Sequence, residues 1–377
     1  MDLRDTDEEA AFRQEVREFI AANLPDASRT RSGRRFEETD RDWSRKLGEA
    51  GYAGLTWPRE YGGSGAPYSH QAIFLEELAR AEAPSHLGVI GIGMAGPTII
   101  AWGTPEQKER YLARILIAEE IWCQGFSEPD AGSDLAAART RIEDRGDHFL
   151  VNGQKVWSSF AHIADYCILV TQSDPATPRY ENLTYLIADM HAPGVEVRPL
   201  RQITGEAEFN EIFFSDVQVP VENRLGEEGE GWQVAMTTLL HERATLGFAL
   251  TATLDALFGR LLRDAQELDP GPLARDALAR EWIELQALLY TNYRALGTYE
   301  RTGVPGPEGS GVKLRWSEAN QRLTKLAREI LGSEGILDDG WWNHQQLRSR
   351  GNTIEAGTSE VLRNIIAERV LGLPRSR

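Results

Sequence analysis

Gly125-Phe-Ser-Glu-Pro-Asp-Ala-Gly-Ser-Asp134 follows directly on the apolar run Ile121-Trp122-Cys123, and its residue types suit contact with a flat, polar ligand. Pro129 stiffens the turn, Gly132 lets the main chain approach closely, and Ser127 and Ser133 offer hydroxyl donors. The same composition is also that of an ordinary turn cluster. Two further segments narrow the choice. Val151-Asn-Gly-Gln-Lys-Val-Trp157-Ser-Ser159 reads as a hairpin closed at Asn152-Gly153, with an indole and two hydroxyls beyond it. Trp157 is equally readable as a core tryptophan. Near the C-terminus, a glycine-containing loop through Glu355, Ala356 and Gly357 is followed at once by an amphipathic helix capped by Thr358.

Acid–base chemistry has a candidate in Glu242. Ala235, Leu239, Glu242, Leu246, Ala249 and Leu257 recur at three- and four-residue steps, so this carboxylate falls on an otherwise core-directed helical stripe. A buried carboxylate is costly unless something pairs or uses it. Desolvation would raise its pKa, which suits a base for a weak carbon acid, and Arg243 would temper the shift. The plain alternative is a surface glutamate paired with a neighbour. Neither Ser127 nor Ser133 has a His or Asp at a motif spacing that suggests a hydrolase triad.

The elements that carry these residues fall into three stretches. Up to about residue 120 the period is helical: Thr6 and Glu9 form a capping box ahead of Phe12, Val16 and Phe19 or Ile20, and Pro25 ends that helix. A second helix runs through Trp43 and Leu47 towards Gly51, and a third carries Ile73, Leu75, Leu78 and Ala79. Thr104-Pro105-Glu106-Gln107 sets a cap, an N1 proline and an N3 glutamine in register for a fourth. Between 121 and 228 the pattern becomes short apolar runs at 148–157, 163–171, 183–189, 195–200 and 210–219. They lie too close together for crossover helices, which favours a small antiparallel sheet or barrel over a parallel one. From Gly229 helices return at about 230–266, 272–302, 311–331 and 358–371, with the lengths and apolar stripes of a bundle. The expected architecture is therefore α+β and multidomain: an N-terminal helical domain (1–120), a middle antiparallel β domain (121–228) and a C-terminal helical bundle (229–377).

Composition removes several classes of function. Among 377 residues, 41 basic and 58 acidic side chains give a net charge of −17, which argues against a nucleic-acid surface or an anionic membrane. Cys123 and Cys167 sit inside apolar strand-like runs and read as buried structural thiols rather than a disulfide or metal site. That usage fits a reducing cytoplasm. The N-terminus is too acidic for a signal or transit peptide, and no apolar run reaches the length of a membrane span.

Taken together, the segments at 125–134, 151–159 and 350–369, in that order and at those separations, resemble the acyl-CoA dehydrogenase family of flavoenzymes over nearly the whole chain. The resemblance implies FAD-dependent α,β-dehydrogenation of an acyl-CoA thioester to the 2-enoyl-CoA, with electrons passed to electron-transfer flavoprotein. A related oxidase that passes them to oxygen is not excluded by the quoted residues. It places Phe126, Ser127, Ser133, Trp157, Ser159, Thr358 and Glu360 at the cofactor, and Ser133, Arg243 and Ala356 at the substrate. Many members set the catalytic glutamate just before the Gly-Thr pair, where this chain has Ala356. Relatives resembling isovaleryl-CoA dehydrogenase combine an Ala-Gly-Thr-Ser-Glu-Val string with a Glu-Arg on the first bundle helix, which matches Glu242-Arg243. Glu355, one residue before the usual position, is the rival base. In the family the backbone N–H at the Ala356 position and a flavin ribityl hydroxyl bind the thioester oxygen.

One departure bears on assembly. An Arg-x-x-Phe-Gly string followed by a glutamine, which in many members clamps a neighbouring subunit's FAD, is replaced here by Leu268-Asp-Pro-Gly-Pro-Leu-Ala-Arg275. Some bacterial relatives with that loss are obligate hetero-oligomers. The expected assembly is therefore a homotetramer, with Arg275 as a substitute cation, or an α2β2 heterotetramer with a related subunit. In the second case this chain could also be a non-catalytic or half-catalytic partner.

Overall fold

The structure is a computed structural model and describes residues 4–25, 38–302, 306, 308–337 and 340–374; side chains at 38–39, 242–246, 300 and 308 lie outside the described set. Helices α1 (Asp7–Asn23), α2 (Glu38–Glu49), α3 (Tyr68–Arg80), α4 (Gly96–Trp102) and α5 (Pro105–Leu116) come first. Eight strands follow: β1 (Trp122–Gly125), β2 (Arg141–Asp144), β3 (His148–Ser159), β4 (Tyr166–Gln172), β5 (Leu183–Asp189), β6 (Val195–Leu200), β7 (Phe209–Pro220) and β8 (Arg224–Leu225). Helices α6 (Gly231–Gln266), α7 (Gly271–Thr302), α8 (Glu308–Leu331), α9 (Trp341–Ser349) and α10 (Ser359–Ile365) complete the chain, a wide turn over Ile366–Val370 extending the last. The expected helical, β, helical order is the observed one. By internal contacts the chain forms two compact units: one holds α1, α3, the part of α6 from Arg243 and α7–α10, and the other holds α2, α4, α5, the sheet and the start of α6.

Local signals act as the sequence predicts. Thr6 accepts from the Glu9 N–H at 3.2 Å while the Glu9 carboxylate takes the Thr6 N–H at 2.8 Å, so the first turn of α1 is satisfied reciprocally. Thr104 and Gln107 form the same box on α5, and the Gln107 amide reaches on to the Glu222 and Arg224 carbonyls at 2.7 and 2.9 Å, tying α5 to the sheet margin. Val16 and Ile20 are the buried face of α1. Its outer edge presents Arg13 and Arg17 to Glu77 of α3, each at 2.8 Å.

The strand order is β6-β7-β3-β2-β4-β5-β8, with β1 alongside β4. The neighbours are mostly antiparallel as expected, but β1 and β2 each pair with β4 in parallel. The predicted hairpin at Asn152-Gly153 does not occur: both residues lie inside β3, which runs through to Ser159 against β7. Asn152 instead sits at an irregularity in that pairing and exchanges two hydrogen bonds with Asp216, at 2.9 and 3.0 Å. Gly153 is needed because a Cβ there would come 2.6 Å from Thr140 Oγ1. The real hairpin joins β2 to β3 through Gly146, at φ +93°, with the Asp144 side chain accepting the Gly146 N–H at 2.7 Å.

Two apolar clusters flank the sheet, one around Trp57, Ile99, Trp122 and Tyr185 and the other around Phe149, Leu169 and Ile212. Cys123 and Cys167 are free and buried, as expected. The helical unit has its own core around Leu261, Leu288, Leu323 and Trp342. Trp342 packs there and donates its indole N–H to Asp264 at 2.7 Å, while the Arg260 guanidinium lies over Trp341. Among the described residues no helix is long and apolar enough to cross a membrane.

Candidate active site

In the sheet unit, the 125–134 loop and the end of β3 are bonded residue by residue. The Lys155 ammonium donates to the Phe126 carbonyl at 3.1 Å and to the Glu128 carboxylate at 2.7 Å. Between them the Val156 N–H donates to the Ser127 carbonyl at 2.9 Å. Glu128 in turn accepts the Arg139 and Thr140 N–H groups at 2.7 and 2.8 Å, which closes the far side of the loop. Lys155 is 0 % exposed. Burial pushes its ammonium below the ordinary lysine value, and Glu128 opposes that shift. Burial by itself would raise Glu128, but the ammonium and the two N–H donors hold it below the usual carboxylate range.

The β3–β7 register shifts between Lys155 and Ser158, and within that bulge Trp157 takes φ +62°, a left-handed conformation that a bulky side chain adopts only under constraint. The bulge turns the indole outwards, 61 % exposed, so the core reading of Trp157 is wrong. Phe126 lies on the inner side, buried edge-on against Tyr185 at 5.8 Å. Ser127 and Ser159 are half-buried and Ser133 is exposed. Ser158 is buried, and its hydroxyl has no hydrogen-bond partner among the described residues. Gly132 is not required by the chain's own packing, since a Cβ there would meet open space. An exposed indole on a constrained bulge, beside a serine-bearing loop, fits a planar conjugated cofactor such as a flavin.

The helical unit builds a second loop. The Lys313 ammonium of α8 donates to the Asn352 carbonyl at 2.7 Å and to the Gly357 carbonyl at 2.8 Å, bridging the two ends of the 352–357 segment. Asn320 and Gln321 add bonds to the Asn352 and Thr353 side chains at 2.8 and 3.2 Å. Within this clamp Ala356 is exposed and held at φ +49°, followed by Gly357 at +93°. Among the described residues the Ala356 N–H makes no hydrogen bond. Thr358 caps α10 by accepting the Val361 N–H at 3.2 Å, and Glu360 is exposed on the first turn. Glu355 is already engaged: Arg348 reaches its two oxygens at 3.2 and 2.9 Å, and the Asn352 amide donates at 2.7 Å.

Glu242 and Arg243 lie on α6, with Ala235 and Leu257 of the same stripe buried, but their own side chains are outside the described residues. At the α6–α7 turn Arg275 is bonded to Asp269. Phe126, Ser127 and Trp157 are thus brought together in one unit, and Ala356, Thr358 and Glu360 in the other. Residue type and spacing assign no role to Lys155, Glu128 or Lys313. The available signal was Lys155's place on the inward parity of β3, two and four residues beyond Gly153 and Val151.

Residues 6–119, 123–217 and 229–371 match, in turn, the N-terminal, middle and C-terminal domains of acyl-CoA dehydrogenases. The chain belongs to the acyl-CoA dehydrogenase family, FAD-dependent oxidoreductases that act on acyl-CoA. It is 42 % identical over 381 residues to the acyl-CoA dehydrogenase IpdE1 of Mycobacterium tuberculosis, covering 97 % of each chain. Among solved structures it is similar to the Tcur3481-Tcur3483 steroid ACAD, at 30 % identity and a TM-score of 0.91 over 100 % of both chains. It is also similar to the ChsE4-ChsE5 complex from Mycobacterium tuberculosis, at 31 % identity and a TM-score of 0.89, again over 100 % of both. Both of those structures are assemblies of two different chains.

Proposed function

We propose that this chain is a subunit of a hetero-oligomeric acyl-CoA dehydrogenase that introduces the α,β double bond into a bulky, ring-bearing acyl-CoA, with Glu242 as base and electron-transfer flavoprotein as acceptor. The observation that carries the reading is the bonded pair of loop 126–128 and the Trp157 bulge, a rigid surface that presents an indole and hydroxyls at the positions the family uses for its flavin. FAD, when bound, supplies the acceptor for the hydride lost from the β-carbon. Ser127, Ser133, Trp157 and Ser159 of the sheet unit would hold and orient it, the exposed Trp157 indole would keep water from it, and cofactor roles for Phe126, Thr358 and Glu360 are carried over from the family resemblance alone. The Ala356 N–H donates to the thioester carbonyl, where negative charge develops as the α-proton departs. The Glu242 carboxylate takes that proton, and Arg243 keeps the carboxylate ionised beforehand. Glu355 is a poorer base because its oxygens are committed to Arg348 and Asn352.

The ring-bearing substrate is supported by the likeness to a steroid enzyme, and the two-chain assembly by both structural neighbours. It is supported as well by Arg275: in place of the family's arginine clamp this chain offers a guanidinium that Asp269 already holds. The test is acyl-CoA-dependent bleaching of the flavin. Glu242→Gln is expected to slow it by roughly 10²- to 10⁴-fold with flavin content unchanged, and Glu355→Gln to be far milder. The reverse ranking would transfer the base to Glu355.

A further inference from the structure

The geometry points to Lys155 and Glu128 as a positioning pair that sets the place of the flavin-facing backbone. The inference rests on the flavin reading above and goes beyond it, because both side chains are buried and bonded to the chain's own backbone and to each other. A lysine with no exposed surface is rare, and here its ammonium is given over to two neighbouring parts of one loop, the Phe126 carbonyl and the Glu128 carboxylate. Glu128 passes the restraint on to the backbone at Arg139 and Thr140, so residues 126–140 close into a clip on β3. Between the two lysine bonds lies the Val156–Ser127 backbone bond, and the next residue along β3 is Trp157. The pair therefore fixes both Ser127 and the start of the bulge relative to each other. An apolar pair could fill the same volume, but it could not hold the Phe126 carbonyl or the two N–H groups.

Structure and positioning separate experimentally. Removing one charge leaves the other buried and unpaired, so Lys155→Met alone should lose folding stability. Removing both charges relieves the unpaired charge, and Lys155→Met/Glu128→Gln should recover part of the lost stability and fold, because the introduced amide oxygen still accepts one of the two N–H groups that bond separate carboxylate oxygens. The double variant, isolated in whichever assembly retains flavin, is nevertheless expected to bind FAD at least about tenfold more weakly. In its cofactor-free form the Val156 amide should exchange hydrogen at least about tenfold faster. Wild-type FAD affinity and Val156 protection in the folded double variant would overturn the inference. Glu128→Gln alone keeps the test open if the lysine variants fail to fold: about three- to tenfold weaker FAD is expected, and unchanged affinity would overturn the inference equally. Wild-type protein that takes up no FAD in any assembly would instead sink the flavin reading and this inference with it.

Discussion

Lys313→Met is the most direct probe of the loop that presents Ala356. Lys313 is 6 % exposed, and its ammonium makes two charge-assisted bonds to carbonyls at 2.7 and 2.8 Å, each of a kind that contributes about 1.5–3 kcal/mol. Methionine fills similar volume without a charge to desolvate, so part of that loss is recovered. The net effect is expected at about 1–3 kcal/mol, concentrated on the 352–357 segment, since Asn320 and Gln321 still hold its first half. By the usual conversion of about 1.4 kcal/mol per factor of ten, local opening becomes roughly 5- to 150-fold more frequent. The Ser359 N–H, bonded to the Thr353 carbonyl at 3.0 Å across this loop, is the amide to follow by hydrogen exchange. Loss of its protection should be matched by a fall in kcat/KM of similar order at unchanged FAD content, because the Ala356 N–H, proposed above as the thioester's donor, is no longer held in its left-handed conformation. Unchanged Ser359 exchange in the folded variant would refute the clamp; faster exchange with unchanged kcat/KM would refute its link to Ala356.

Two further outcomes follow from other parts of the molecule. Burial pushes His86 from 6.5 down to about 4, and its ring nitrogens already bond the Leu116 carbonyl and the Gly88 N–H. Its contribution is therefore complete above about pH 6.5 and is lost as pH falls through about 4, with a total of about 3 kcal/mol. Denaturation between pH 7 and 4 should reveal that slope and His86→Gln should flatten it; equal slopes would exclude His86 as the source. Native mass spectrometry of the isolated chain is expected to find no homotetramer carrying one FAD per chain, and such a species would rule out the need for a second type of subunit.

Legibility in the sequence followed the range of the forces involved. The capping boxes at Thr6 and Thr104 and the β runs from 148 to 219 depend on neighbours a few residues apart, and their elements formed where predicted. Asn152-Gly153 carries the same kind of local signal, yet β7, more than fifty residues later, recruits both into a continuous strand. The parallel pairs at β4 are likewise decided by non-local partners. The nine residues of α9, beginning Trp-Trp-Asn-His, show too little period to predict a helix, and it is the docking of Trp342 on Asp264 that settles it. In the candidate site, residue type leaves Trp157 open between core and surface until the bulge turns it outwards, and it gives no sign of the buried Lys155 and Lys313. Charged residues score as solvent-facing until the carbonyls that bind them are known.

Cys123 and Cys167 lie opposite each other on the parallel strands β1 and β4, wholly covered, with burial pushing the Cys123 thiol well above its ordinary value. They are the only two cysteines in the chain. A thiol reagent can modify this protein only when β1 and β4 part, because the thiolate must form and be reached. Labelling is therefore a clock for the opening of the sheet unit and is blind to the helical one. Variants in the bundle core, whatever they do to α7 or α8, leave no trace on that clock unless they also loosen the sheet.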